Sequence, residues 1–289
     1  MIDVPATTAN LGPGFDSLGL ALDWTARYQV TVSDEELPAA NSPIEHMTAT
    51  AVRALYQQER TEEPTGLSIT YEGDIPIGRG LGVSGSARAA GLIAANELLG
   101  KRRKLEDLVS LAVRLEGHGD NIIPAMFGGL RVVVDDDDGV IHLGIDPPTN
   151  LEIALLIPHF SMPTNESRKR LPERLTRSQA VHNIGRAALL VGALTQGDYQ
   201  FLAKATEDIL HQPARSTLFP AMYALFQAAR DAGGLAAYLS GGGSTIAAFA
   251  IKGEGKKVAS AMREAASDHD LEVAARVCQM SSTGAKVIE

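Results

Sequence analysis

The chemistry in this chain is concentrated in three segments where glycine is interleaved with hydroxyl or amide side chains. In one, Pro76-Ile77-Gly78-Arg79-Gly80-Leu81-Gly82-Val83-Ser84-Gly85-Ser86 leads into an alanine-rich run. Glycines let a backbone close on a ligand, and a helix start offers unpaired N–H groups and a favourable dipole to an anion. Ser84 and Ser86 add hydroxyls able to ligate Mg2+ or to bond a phosphate oxygen. No lysine follows the glycines, so this is not a Walker A loop, and the spacing is not that of a Rossmann fingerprint. Read alone, a segment of this kind is more often a capped helix with a flexible lead-in than a phosphate site. The other two, residues 5–19 and 239–245, read alone as an elaborate turn between strands and a flexible hairpin.

These loops need elements to hold them. Residues 2–7, 19–24 and 28–33 carry the β-branched and aromatic content of strands. Ile44, Met47, Ala51 and Leu55 recur at helical spacing, which predicts a helix over 43–60. A short strand at 67–71 precedes helices at 84–99, ended by Gly100, and at 105–115. Strands at 130–134 and 140–143 flank four consecutive aspartates, Asp135 to Asp138. A calcium loop alternates its carboxylates and closes on a glutamate, so the run is taken as a solvated hairpin tip. Pro147-Pro148 marks a boundary, giving domains 1–148 and 149–289. Beyond it come a strand at 151–157, helices at 177–194, 198–210 and 221–232, strands at 236–239 and 245–250, a helix at 256–267 and a strand at 272–277. The class is α+β, in two halves.

With 289 residues and 45% hydrophobic content, the chain can bury a sizeable core. Its 26 basic and 35 acidic residues leave a net charge of −9, which argues against a nucleic-acid partner. A local pocket can still hold a small anion against that charge. One cysteine, Cys278, allows no internal disulfide and no cysteine-based zinc site. The amino terminus lacks the pattern of a secretory signal and no apolar run is long enough to span a bilayer, so a cytoplasmic protein without membrane partners is expected.

In their order along the chain, the three glycine segments resemble the signature motifs of the GHMP small-molecule kinases. The first, Pro5-Ala6-Thr7-Thr8-Ala9-Asn10-Leu11-Gly12-Pro13-Gly14-Phe15-Asp16-Ser17-Leu18-Gly19, is most similar to the homoserine kinase version, with Thr8 in place of a serine. Glu116-Gly117-His118-Gly119-Asp120-Asn121, Phe127-Gly128-Gly129, residues 164–172, residues 180–194 and His211-Gln212-Pro213-Ala214-Arg215 extend the likeness over essentially the whole chain. Two departures stand out. The family's G-L-G-S-S-A is Gly82-Val83-Ser84-Gly85-Ser86 here, and its G-A-G-P-T is Gly241-Gly242-Gly243-Ser244-Thr245. Loss of that proline is expected to loosen the third loop while keeping its N–H donors.

The resemblance implies a two-domain GHMP fold, with a ribosomal protein S5 domain 2-like first half and a ferredoxin-like second half. It implies transfer of the γ-phosphoryl group of ATP to the hydroxyl of L-homoserine, as in threonine biosynthesis, by a homodimer. Pro76, Gly78, Arg79, Gly80, Leu81, Gly82, Val83, Ser84, Gly85 and Ser86 would wrap the phosphates. Ser84 with Glu116 would hold Mg2+, Ser86 being the alternative if the loop shifts register. Arg168 and Arg215 would clamp the substrate carboxylate, and Asn10, Asp16, His118, Asp120 and Asn121 would take the ammonium and hydroxyl ends. Thr164, Gly241 and Gly242 complete the substrate set. The catalytic group is Asp120, Asn121 and Ser84, with Asp120 as base or direct proton transfer to the phosphate as the competing route. Another GHMP kinase with a different alcohol, or an inactive GHMP-fold sensor, are the alternatives. Val83 and Gly85 favour the sensor, and the retained Ser84, Glu116 and Asp120 favour activity.

Overall fold

The computed structural model describes residues 1–288 except Ala39 and Pro163, and of Thr164 and Asn165 the backbone only. β1 (Ile2–Ala9) and β2 (Leu18–Ser33) pair antiparallel. Where the spacing predicts two strands, β2 is one strand of 16 residues, because Trp24, Ala26 and Tyr28 keep alternating inward through the region taken as a break. α1 (Pro43–Gln58) starts where Ser42 accepts the Glu45 N–H at 3.2 Å and a proline fills the first helical position. β3 (Gly66–Glu72) pairs with the second half of β2. After the glycine loop comes α2 (Val83–Leu98), then α3 (Val109–Glu116), which stops at Gly117.

α4 (Gly119–Phe127) is absent from the sequence reading, since its glycine start and internal Pro124 carry no helix signal. Pro124 has no N–H to give the Asp120 carbonyl one turn back. That carbonyl faces Gly19 instead, where a Cβ would sit 1.6 Å from it, so only glycine fits. β4 (Leu130–Asp136) and β5 (Gly139–Ile145) form a hairpin with the aspartates exposed at its end.

The second sheet begins with β6 (Leu151–Pro158), buried along its whole length. α5 (Thr164–Lys169), α6 (Arg177–Gln196), α7 (Leu202–Ala205), α8 (Gln212–Ser216) and α9 (Met222–Asp231) follow. A helix over 198–210 is expected, yet α7 ends at Ala205. The Asp208 carboxylate gathers the N–H groups of Leu210, His211 and Gln212 at 3.0, 2.9 and 2.7 Å and turns the chain into α8. β7 (Ala236–Leu239), β8 (Ile246–Ile251), α10 (Gly255–Ser267) and β9 (Val273–Gln279) complete an antiparallel sheet of order β7-β8-β6-β9. Numbered within the sheet, that is the 4-1-3-2 order of a ferredoxin-like unit.

The chain then returns to the first sheet. β10 (Lys286–Val287) pairs with β1, giving the order β10-β1-β2-β4-β5 with β3 beside β2. One apolar core joins both sheets, with Val4, Leu55, Leu92 and Ile122 continuous with Ile153 and Phe249. A second cluster seals α9 and α10 onto the second sheet. No helix among the described residues is long and apolar enough to cross a membrane.

Candidate active site

The three glycine segments meet. Gly241 N–H donates to Ala9 O at 3.0 Å and Asn10 Nδ2 to Gly241 O at 2.9 Å, joining the first loop to the third. Ser240 Oγ donates to Gly80 O at 2.6 Å and Thr245 N–H to Arg79 O at 3.0 Å, joining the third to the second. Between them lies a cleft of about 380 Å³. Asn10, Leu11 and Asp16 hold positive φ of 67°, 47° and 56° around it, a strained backbone of the kind found at ligand-holding loops. Asn10 Oδ1 fixes that turn by accepting the Asp16 N–H at 3.0 Å.

One end of the cleft is built for an anion. Gly78, Gly80, Leu81, Gly82, Val83 and Ser84 line it. Gly82 caps α2 at φ 69°, and a Cβ there would lie 1.8 Å from Thr7 Oγ1. No side chain caps this helix start and no acidic residue sits in its first turn, so its N–H groups and dipole face the cleft uncompensated. The Ser84 hydroxyl donates to Glu116 Oε1, and Arg88 Nη1 reaches Glu116 Oε2 at 2.5 Å.

Four residues assigned to the phosphate loop lie elsewhere. Two positions along a helix turn a side chain by about 200°, so Ser86 points inward. Its Oγ bonds Tyr28 Oη at 2.7 Å and Val83 O at 3.0 Å, and the residue is 1% exposed. Gly85 packs on Ile122, and Pro76 and Arg79 line a different cavity behind the loop. Arg88, Met47 and Ile77 are cleft residues the sequence reading missed. Arg88 had a usable signal, since it lies four residues beyond Ser84 on one helix face.

The other end is zwitterionic. Arg168 binds Asp16 through both terminal nitrogens, at 2.8 and 2.5 Å, and its guanidinium lies 5.2 Å from the Phe15 ring. The hydrogen bonds that Arg168 donates to Asp16 raise its pKa. Arg215 is 1% exposed. It donates to Ser167 Oγ at 2.6 Å, His211 Nδ1 at 2.8 Å and Gly241 O at 2.9 Å, leaving Nη2 without a hydrogen bond among the described residues. Burial, helped by the nearby Arg168 charge, lowers its pKa to about 10. His211 can accept from Arg215 because its Nε2–H donates to Gly12 O at 2.7 Å, and burial holds its pKa down to about 4.

Asp120 Oδ1 sits between His118 Nδ1 at 2.5 Å and Asn121 Nδ2 at 3.3 Å, and Thr7 Oγ1 donates to Asn121 Oδ1 at 2.8 Å. Burial alone would lower the His118 pKa. The hydrogen bond to Asp120 and the charges of Asp120, Glu116 and Asp16 prevail and raise it. Ligand atoms of Asp16, His118 and Asp120 lie within 4.8 Å of one another, which suits a cationic group. Gly241 and Gly242 also line this cleft, whereas the side chain of Thr164 lies outside the described residues.

The model of the GHMP kinases N terminal domain matches residues 46–129, and that of the GHMP kinases C terminal domain matches residues 190–268. A homoserine kinase of Clostridium beijerinckii is 34% identical over 100% of this chain and 98% of its own. A homoserine kinase of Deinococcus radiodurans is 39% identical over 86% of this chain and 83% of its own. The chain belongs to the homoserine kinase family of GHMP kinases. The crystal structure of a homoserine kinase from Cytophaga hutchinsonii superimposes with a TM-score of 0.89 at 28% identity, over 99% of this chain and 96% of that one.

Against the GHMP pattern, both departures acquire a setting. Val83, at the family's first serine, is 5% exposed, which leaves Ser84 as the one cleft-lining hydroxyl of this loop. The third loop is not loose, despite its missing proline. Ser244 Oγ donates to Phe160 O and Ser240 Oγ to Gly80 O, both at 2.6 Å, pinning it from two sides.

Proposed function

We propose that this chain transfers the γ-phosphoryl group of ATP to the hydroxyl of L-homoserine, giving O-phospho-L-homoserine. The observation that carries the reading is the pairing of Arg168 with Asp16 in the same cleft as the uncapped start of α2. An amino acid presents an ammonium and a carboxylate side by side. Laid against an existing aspartate–arginine pair, it finds an opposite charge for each without breaking the pair. The unoccupied Arg215 Nη2 supports a second contact to the carboxylate, and Asn10 with Asp16 supports the ammonium end.

Phosphoryl transfer passes through a loose transition state, so positioning and charge neutralisation do most of the work. The free N–H groups of α2 and the Ser84 hydroxyl hold the phosphates, and Arg88 adds a positive charge beside Glu116. Ser84 and Glu116 fit Mg2+, a hard cation that takes one or two protein oxygens and fills its shell with phosphate and water. When bound, Mg2+ neutralises charge on the transferring phosphates. Asp120, held through Oδ1 by His118 and Asn121, keeps Oδ2 to accept the substrate hydroxyl proton as the phosphoryl group arrives. Homodimeric assembly and a cytoplasmic location belong to the same reading, through the family.

The test is ADP release with Mg-ATP over a panel of alcohols. Turnover should be highest with L-homoserine and fall sharply with 3-amino-1-propanol, which is homoserine without its carboxylate. Turnover favouring a sugar or polyol, or none with any alcohol, would reject the reading.

A further inference from the structure

A second cavity, also of about 380 Å³, lies behind the phosphate loop and shares no residue with the cleft. Its size is that of a small-molecule site. One wall is apolar: Pro76, Ile157, Pro158 and Ala274. The other carries the chain's single tryptophan, Trp24, with Arg276 lying over its ring at 4.0 Å. Asp74 fixes both, accepting Trp24 Nε1–H at 2.5 Å and Arg276 Nη1 at 3.1 Å.

Arg79 faces Arg276 from the phosphate loop. Its guanidinium donates only to main-chain carbonyls, those of Ile77, Pro158 and His159, so no carboxylate balances its charge among the described residues. Three of its five N–H groups are thereby used and two remain. The cavity thus holds two guanidinium groups against one carboxylate, and that carboxylate already serves Trp24 and Arg276. A flat apolar body with one negative charge satisfies both walls.

The position of Arg79 gives such a ligand a consequence. Its side chain ties the loop to the end of β6, and its carbonyl accepts the N–H of Thr245 in the third loop. The next carbonyl, of Gly80, accepts Ser240 Oγ. A carboxylate drawing Arg79 away from the Pro158 and His159 carbonyls would shift both loops that line the phosphate end of the cleft.

We propose that this cavity is a second ligand site, specific for a small aromatic carboxylate, whose occupancy reaches the phosphate loop through Arg79. 2-Naphthoate is the probe, with 2-naphthamide as its uncharged isostere. A single tryptophan gives a single indole N–H resonance, which should move saturably with naphthoate and hardly at all with the amide. Arg276→Gln should weaken that binding at least tenfold, and Ala274→Phe, placed on the face of β9 that Ile157 and Arg276 share, should abolish it by filling the cavity. Bound naphthoate should change the KM for ATP at least threefold and leave the KM for homoserine unaltered, an effect missing in Ala274→Phe. The kinetic readout rests on the kinase reading; the resonance shift does not. Equal binding of the amide, binding that survives Ala274→Phe, or displacement of naphthoate by ATP without movement of the indole signal would overturn the site. Binding with no change in the KM for ATP would overturn the coupling.

Discussion

Arg168 grips Asp16 across 152 residues of sequence, end-on, with both terminal nitrogens on both carboxylate oxygens. On the proposed reading, each group of the pair would partner an incoming amino acid as well as the other. Arg168→Ala should lose a charge-assisted contact of about 1.5–3 kcal/mol, or roughly tenfold to somewhat over a hundredfold in kcat/KM for homoserine. Asp16→Asn should act in the same direction. The KM for ATP should hardly move in either. Steady-state kinetics decide it, and an equal loss for ATP would remove both residues from the substrate end.

Arg215 is expected to behave differently from Arg168. Its truncation strands His211 Nδ1 and Ser167 Oγ in a buried setting, while Gly241 O keeps its bond from Asn10 Nδ2. Each group left unsatisfied costs about 1–3 kcal/mol, so Arg215→Ala should lower the melting temperature as well as homoserine turnover. A variant with wild-type Tm would show that those acceptors find water.

The two serines of the phosphate loop should separate cleanly. Ser84→Ala removes the hydroxyl beside Glu116 and should lower kcat strongly at unchanged stability. Ser86→Ala breaks a buried bond to Tyr28 and should cost about 1 kcal/mol of stability with kcat near normal. Parallel chemical denaturation and kinetics on the two variants would expose a reversed assignment.

Arg88 and Mg2+ would share one carboxylate. Arg88→Met leaves Glu116, whose side chain is 3% exposed, without its cationic partner. The Mg2+ concentration for half-maximal activity should then fall several-fold. A rise would mean that Arg88 helps to assemble the metal site.

Two histidines should give opposite pH signatures. His118 has a raised pKa in the folded protein, so its stabilising contribution is full below about pH 6.5, the unfolded value, and disappears as pH rises through the folded value. The Tm advantage of wild type over His118→Gln should therefore shrink above pH 6.5. His211, held at about 4 by burial, instead binds a proton more readily when unfolded. It should drain stability as pH falls from about 6.5 towards 4. Melting curves at a series of pH values test both, and a His118 advantage that grows with pH would contradict the sign.

The site was legible where backbone constraint writes itself into residue type. Gly82 must be glycine because Thr7 Oγ1 stands where a Cβ would be, and Gly19 because of the Asp120 carbonyl. Such positions leave spaced glycines that can be read without coordinates. Arg88 was only partly legible: its spacing of four from Ser84 puts it on the same helix face, but one arginine in an alanine-rich helix looks like a solvated charge until Glu116 is placed opposite it. Ser86 was misassigned for the converse reason: its hydroxyl resembles that of Ser84, and only helix phase sends it to Tyr28. In the fold, the loss is largest where tertiary contacts override local pattern. Pro124 argues against α4 yet sits inside it, and Asp208 ends α7 by a turn that no apolar periodicity records.

The return of β10 to β1 has a bearing on how the chain is made. Synthesis delivers β1 first, and β2 covers one of its edges within a few dozen residues. The other edge waits for Lys286 and Val287. At ribosomal speeds of about 5–20 residues per second, that wait is on the order of tens of seconds. Throughout it, the nascent protein carries an open strand edge able to pair with a neighbouring chain on the same messenger.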